Sequence, residues 1–133
     1  MRIYLDFDGT VVEHNFPAIG AENPNAINII SLLQKAGHNI VLNTYRADID
    51  LSYVQEALHF INCHPQLVEP VADYLPKKLE PQPFDLKNAK ATNQLYIDDI
   101  ANGIPLCRNK ALEFGMMVNW FELEKLLREE NII

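Results

Sequence analysis

Two aspartates one residue apart, Asp6 and Asp8, stand at the end of the apolar run "RIYL" and are followed at once by Gly9 and Thr10. A carboxylate at the edge of a core is costly unless it is paired, metal-bound or used in chemistry. A second acidic pair, Asp98 and Asp99, closes another apolar run, "QLYI". A third run, "NIVL", ends on Asn43 and Thr44, with Arg46 just beyond. If the runs ending at Asp6 and Asp98 are neighbouring strands, four carboxyl groups converge on one place. Two like charges 4 Å apart repel by about 4 kcal/mol at an effective dielectric near 20. Protonation of some members relieves this, and so does a hard divalent cation. An all-oxygen donor set points to Mg²⁺, with Asp6, Asp8, Asp98 and Asp99 as its candidate ligands.

The residues around these acids suit phosphoryl transfer. Gly9 frees the backbone to turn sharply, so that main-chain N–H groups can face an anion, and Thr10 brings a hydroxyl nearby. Thr44 can donate to a phosphoryl oxygen, and Arg46 can meet the same anion with a fork of donors. Lys90, shortly before the "QLYI" run, is placed to balance negative charge. Metal, nucleophile, donors and cation are what this reaction requires, because its transition state is stabilised mainly by positioning and charge neutralisation. Monoester hydrolysis also demands accelerations up to about 10²¹, and a covalent intermediate divides that barrier. Asp8, two positions along from Asp6, points to the same side of the strand end. It can serve as acid beside a nucleophile if the two environments differ.

These residues need elements to hold them. Residues 2–6, 39–43 and 94–99 read as buried strands, since each is a short apolar run. Between the first two, residues 22–37 read as a helix with Asn23 as cap, Pro24 in its first turn and Gly37 at its end. The next helix is capped by Asp48 or Asp50 and buries Leu51, Val54, Leu58 and Ile61. From Cys63 to Thr92, which holds five of the eight prolines, the pattern dissolves into an ordered loop with one small strand near Leu67 to Val71. The last helix takes Asn119 as cap, Glu122 to complete a capping box, and Trp120, Leu123 and Leu127 inward. Tyr4, Phe114 and Phe121 read with Trp120 as core or edge packing. Strands alternating with amphipathic helices predict an α/β fold with a parallel sheet covered on both faces and a ligand site beyond the carboxyl ends of the strands.

The order and wording of the motifs resemble the haloacid dehalogenase superfamily: "DFDGT" its first motif, "VLNT" its second, "LYIDD" its acidic fourth, together spanning residues 2–99. The resemblance implies a three-layer α/β/α Rossmann-like domain over residues 1–133, and a Mg²⁺-dependent phosphatase working through an aspartyl-phosphate. Carried over, Asp6 is the nucleophile. Asp8 is the general acid and then the base, with its backbone carbonyl on the metal. Thr44 holds the phosphoryl group, and Asp99, supported by Asp98, binds Mg²⁺. The third motif is a single lysine: Lys90 has the best spacing, Lys87 is second, and Lys77 and Lys78 stay open. Neither gap between motifs has room for a large cap domain. The site is then open, accepting a bulky substrate or closed by the Pro-rich segment or by a second copy of the chain.

Composition narrows the partners. With 133 residues and 48% hydrophobic content, one core in one domain is expected. A net charge of -7 repels polyanions, so nucleic acid is disfavoured and the expected partner is a phosphorylated substrate of unassigned class. Two cysteines, Cys63 and Cys107, read as free thiols in a reducing compartment, and with no membrane segment the chain is expected in the cytoplasm. A receiver domain uses similar groups in another order, with the accepting aspartate alone in mid-chain. The same residues also suit a catalytically silent binding or regulatory module on this fold, or a phosphotransferase whose acceptor is not water.

Overall fold

The computed structural model describes residues 1–109 and 115–133; Phe114 lies outside them. Its strands are β1 (Arg2–Leu5), β2 (Asn39–Leu42), β3 (Asp73–Tyr74), β4 (Gln94–Ile97), β5 (Leu106–Arg108) and β6 (Met116–Val118). Its helices are α1 (Ala26–Lys35), α2 (Arg46–Ile49), α3 (Leu51–Asn62), α4 (Leu86–Thr92) and α5 (Trp120–Glu129). The first four strands form a parallel sheet in the order β3-β2-β1-β4, and β5 pairs antiparallel with β6.

Register follows the apolar pattern. Ile3 lies opposite Ile40 and Leu95, and Leu5 opposite Leu42 and Ile97. By strand alternation these six side chains share one face. They join Ile27, Ile30 and Leu33 of α1, Val54 and Ile61 of α3, and Leu123 and Leu127 of α5 in the main core. Each such side chain contributes about 1.5–3 kcal/mol when fully buried. On the opposite face Tyr4 and Tyr96 stack with their ring centres 4.7 Å apart, beside buried Val41. The residues after the paired ends, Asp6, Asn43 and Asp98, therefore leave the sheet side by side. The chain steps from β1 outward to β2 and β3, then returns past β1 to β4. The crevice between β1 and β4 is thus the switch point at which open sheets of this class bind ligands.

Several local expectations need correction. Helix α1 starts at Ala26, after Asn25 in the left-handed region (φ 70°). Asn23 is instead buried and donates its amide to the carbonyls of Thr10 and Val118, tying three segments together. Asp50 does cap α3, but Leu51 stays exposed, and the buried stripe runs through Val54, Ala57 and Ile61. Asn119 caps α5 by accepting from the Glu122 N–H. The Glu122 carboxylate pairs with Lys125 rather than reaching back to close the box. Trp120, Leu123 and Leu127 are buried as expected, whereas Phe121 faces solvent.

The stretch from 63 to 92 is more structured than its sequence suggests. The small strand is at Asp73–Tyr74, not 67–71, and Leu86–Thr92 is helical, capped by Asp85 and ended by Asn93 in the left-handed region. Between them the chain runs along the carboxyl ends of the strands. The Leu75 N–H donates to the Leu42 carbonyl, and the Asn43 side chain both donates to the Leu79 carbonyl and accepts its N–H. Further on, the Phe84 N–H meets the Asn102 carbonyl. Both cysteines are free thiols, and no helix among the described residues is long and apolar enough to cross a membrane.

Candidate functional site

The turn after β1 builds the site's floor. Asp6 continues the strand, its N–H bonded to the Ile97 carbonyl, and the residue is 5% exposed. Thr10, fully buried, donates its hydroxyl to Asp6 Oδ2 at 2.8 Å and accepts the Asp99 N–H at 3.2 Å. Its carbonyl receives both the Asn23 amide and the Trp120 indole N–H, so the turn is fixed from the opposite side by α5. Gly9 has φ 80°, and a Cβ there would stand 2.2 Å from His14 Nε2 and 2.7 Å from Asp99 Oδ2. Only glycine fits that conformation and that space.

Asp6, Asp98 and Asp99 each bring a carboxylate oxygen within 4.8 Å of the others, close enough to hold one cation. Lys78 stands among them, its Nζ 2.9 Å from Asp6 Oδ1 and 2.5 Å from Asp98 Oδ2, with the side chain 1% exposed. Burial pushes the Asp6 carboxyl well up; the Lys78 ammonium opposes this, and Asp98 and Asp99 add to it. Burial likewise lifts Asp99 to about 6, though a hydrogen bond with Asp6 restrains it. Burial works against the charge on Lys78, yet the Asp6 and Asp98 carboxylates outweigh it and the ammonium is held above its usual value. Three carboxylates facing one ammonium leave the cluster short of positive charge, a deficit that a divalent ion would fill.

The expected cation, Lys90, is elsewhere. It is exposed on α4, and its Nζ donates to the Glu130 carbonyl; Lys87 and Lys77 are exposed too. Lys78 comes to the acids because Asn43 laces the neighbouring Leu79 to the end of β2. Arg46 is also not where an anion could meet it. It is 1% exposed and grips Asp8 with two bonds, Nε to Oδ2 at 2.7 Å and Nη2 to Oδ1 at 2.8 Å. Its remaining donors reach the carbonyls of Pro17 and Ala18, and its guanidinium lies near the rings of Phe7 and Phe16. The Asp8 carboxylate consequently stands apart from the three-acid cluster. The N–H groups of Gly9 and Thr10 are likewise spent inside the turn, on the carbonyls of Val12 and Phe7, and do not face an anion. Gly9 and Thr10 therefore shape the turn and hold Asp6.

Thr44 fits its expected place. It lines the cavity, and its Oγ1 accepts the Arg46 N–H, which leaves its own proton to donate inward. His14, scattered from the other histidines in sequence, joins the site through Asp99, Nε2 to Oδ2 at 3.0 Å. The cavity above these groups measures about 220 Å³. Its buried floor is Asp6, Thr44, Lys78 and Asp98, and its exposed lining includes Phe16, Tyr45, Ile49 and Ile100.

No protein-family model matches the chain, and no curated protein shows a significant match to it. A solved structure of a conserved protein from Bacteroides thetaiotaomicron is similar, with a TM-score of 0.58 at 24% identity over 98% of this chain and 91% of that one. The likeness concerns the fold, a mixed α/β architecture of Rossmann-like type with a four-stranded parallel sheet.

Proposed function

We propose that the protein is a Mg²⁺-dependent phosphohydrolase of the capless, three-layer haloacid dehalogenase kind that its motifs resemble, acting on a phosphate monoester through an aspartyl-phosphate on Asp6. The observation that carries this reading is the convergence of Asp6, Asp98, Asp99 and Lys78 at the β1–β4 crevice. The three carboxylates form a hard, all-oxygen donor set that fits Mg²⁺, which when bound neutralises charge on the phosphoryl oxygens.

The chain's own groups account for the rest. Thr10 and Lys78 aim the two oxygens of Asp6, one hydrogen bond each, so the nucleophile is oriented before substrate arrives. Thr44 donates to a phosphoryl oxygen. An Asp6 oxygen bonds to phosphorus as the ester P–O bond breaks, and the leaving oxygen takes a proton from the Asp8 carboxyl, once Arg46 releases it, to depart as the alcohol. Water then attacks the same phosphorus, releasing inorganic phosphate and restoring the Asp6 carboxylate. With an aryl phosphate and Mg²⁺ the wild-type chain should turn over, and Asp6→Asn should not. Absence of turnover across a broad panel of phosphate esters and acyl phosphates would defeat the proposal.

The Arg46–Asp8 pair favours a second reading. Asp8 can serve the leaving group only once it is released from Arg46, so a binding or regulatory module, or transfer to an acceptor other than water, also suits this geometry. Such a module would accept phosphoryl from acetyl phosphate once per chain, without steady release of phosphate, and mass spectrometry distinguishes the two.

A further inference from the structure

We propose that the substrate is a small aromatic phosphate monoester, its ring held by Phe16, Tyr45, Ile49 and Ile100; the inference rests on the phosphohydrolase reading and names the substrate class of that same site. These four side chains are 43%, 48%, 59% and 53% exposed, respectively, and all line the cavity over Asp6. Single exposed apolar residues are ordinary, but four converging on one cavity mark a binding surface. They come from three separate segments: the loop after β1, the start and end of α2, and the turn after β4. The surface therefore does not arise from the amphipathicity of any one element.

The polar groups nearby argue against a hydroxyl-rich alcohol such as a sugar. The Tyr45 hydroxyl donates to Glu80 Oε1 at 2.8 Å, so the part of Tyr45 left to a ligand is its ring, which the Lys78 ammonium approaches to 5.0 Å from the centroid on one side. Arg46 is filled by Asp8 and two carbonyls, and His14 Nε2 is engaged with Asp99. The donors Lys78 and Thr44 lie on the floor, where a phosphoryl group sits, and the acids that also line the cavity, Asp8 and Asp99, are already paired with Arg46 and His14. A sugar's hydroxyls would have to compete with these existing pairs for partners, whereas an aromatic ring makes no such demand. Size agrees: an apolar cavity of about 150 Å³ holds benzene, and this one, at about 220 Å³, must also take the phosphoryl group.

The test is steady-state kinetics of the full chain with Mg²⁺ on phenyl phosphate, 1-naphthyl phosphate, a hexose 6-phosphate and acetyl phosphate. The two aryl esters have leaving groups of similar acidity, so a lower KM for the naphthyl ester reports apolar contact rather than lability. We expect that order, with kcat/KM for the aryl esters at least about tenfold above the sugar phosphate. Ile49→Asp and Ile100→Asp, both at exposed positions and checked for an unchanged Tm, should each lower the naphthyl-to-acetyl ratio of kcat/KM by about tenfold. A preferred sugar phosphate, equal KM for the two aryl esters, or an unchanged ratio in both variants overturns the inference while acetyl phosphate turnover keeps the hydrolase. A phosphotyrosyl peptide turned over better than the free esters also overturns it, since the commitment is to a small molecule. No turnover of any compound, acetyl phosphate included, removes the hydrolase and the inference together.

Discussion

A single ammonium between two carboxylates sets how much negative charge the cavity holds, and replacing it separates Lys78 from the lysine that spacing favours. Lys78→Met leaves Asp6 and Asp98 facing each other without their cation and removes a donor from the phosphoryl group. We expect kcat to fall by about 10²–10³, the loss typical of one oriented donor in a transition state. Lys90→Met, whose amine bonds to a carbonyl at the far end of α5, should stay within about twofold of wild type in the same assay. Asp99 supplies a pH signature. Its carboxyl is held at about 6 in the folded protein, against 3.8 as the ordinary value, mainly by burial. In metal-free protein this group adds stability that is full below pH 3.8 and is lost as pH rises through 6, because the folded chain holds its proton longer than the unfolded one. Metal binding runs the other way, since the ligand must be deprotonated. Calorimetry should find Mg²⁺ bound about tenfold more weakly at pH 5 than at pH 7.

Among the elements, the segment from 75 to 84 matters most to the site, because it delivers Lys78 without being a helix or a strand. Its anchors include buried Asn43, whose side chain exchanges two hydrogen bonds with the Leu79 backbone, and Asp48, whose Oδ1 accepts the Lys78 N–H at 3.0 Å. Asn43→Ala leaves that backbone unpaired at a cost of about 1–3 kcal/mol. Chemical denaturation should show this loss. Activity measured well below the Tm should fall further than the stability change alone implies, because Lys78 is next in the chain. The same segment marks the limit of what the sequence reveals. Strands β1, β2 and β4 are legible because each is an apolar run that must be buried, and Asp6, Thr44, Asp98 and Asp99 are legible because each breaks such a run at its end. Lys78 carries no such mark. It sits in "PKKLEP", where no periodicity tells Lys77 from Lys78, and a long-range Asn43–Leu79 contact selects the register. Arg46 misleads for a related reason: its type and place suit an anion, and only the tertiary structure shows that Asp8, Pro17 and Ala18 consume its donors. Helix α4, at seven residues, is too short for an apolar stripe to declare itself.

At the scale of the whole molecule, the site draws on both ends of the chain, since the DxDGT turn is braced by α5 and faced by β4. A ligand that binds only this folded arrangement must stabilise all of it. Mg²⁺ at 100 times its Kd should add about 2.7 kcal/mol, seen as a raised Tm that Asp98→Asn abolishes. The indole of Trp120 gives the protein a built-in optical gauge. It is the chain's sole tryptophan, is 1% exposed, and bonds through Nε1 to the carbonyl of Thr10 at 2.7 Å, while the hydroxyl of that same residue steadies Asp6. Emission from this one fluorophore should therefore shift as magnesium or a phosphate mimic such as beryllofluoride settles on the acids. Occupancy could then be followed in real time on the unlabelled chain, with Asp6→Asn as the silent control for the mimic.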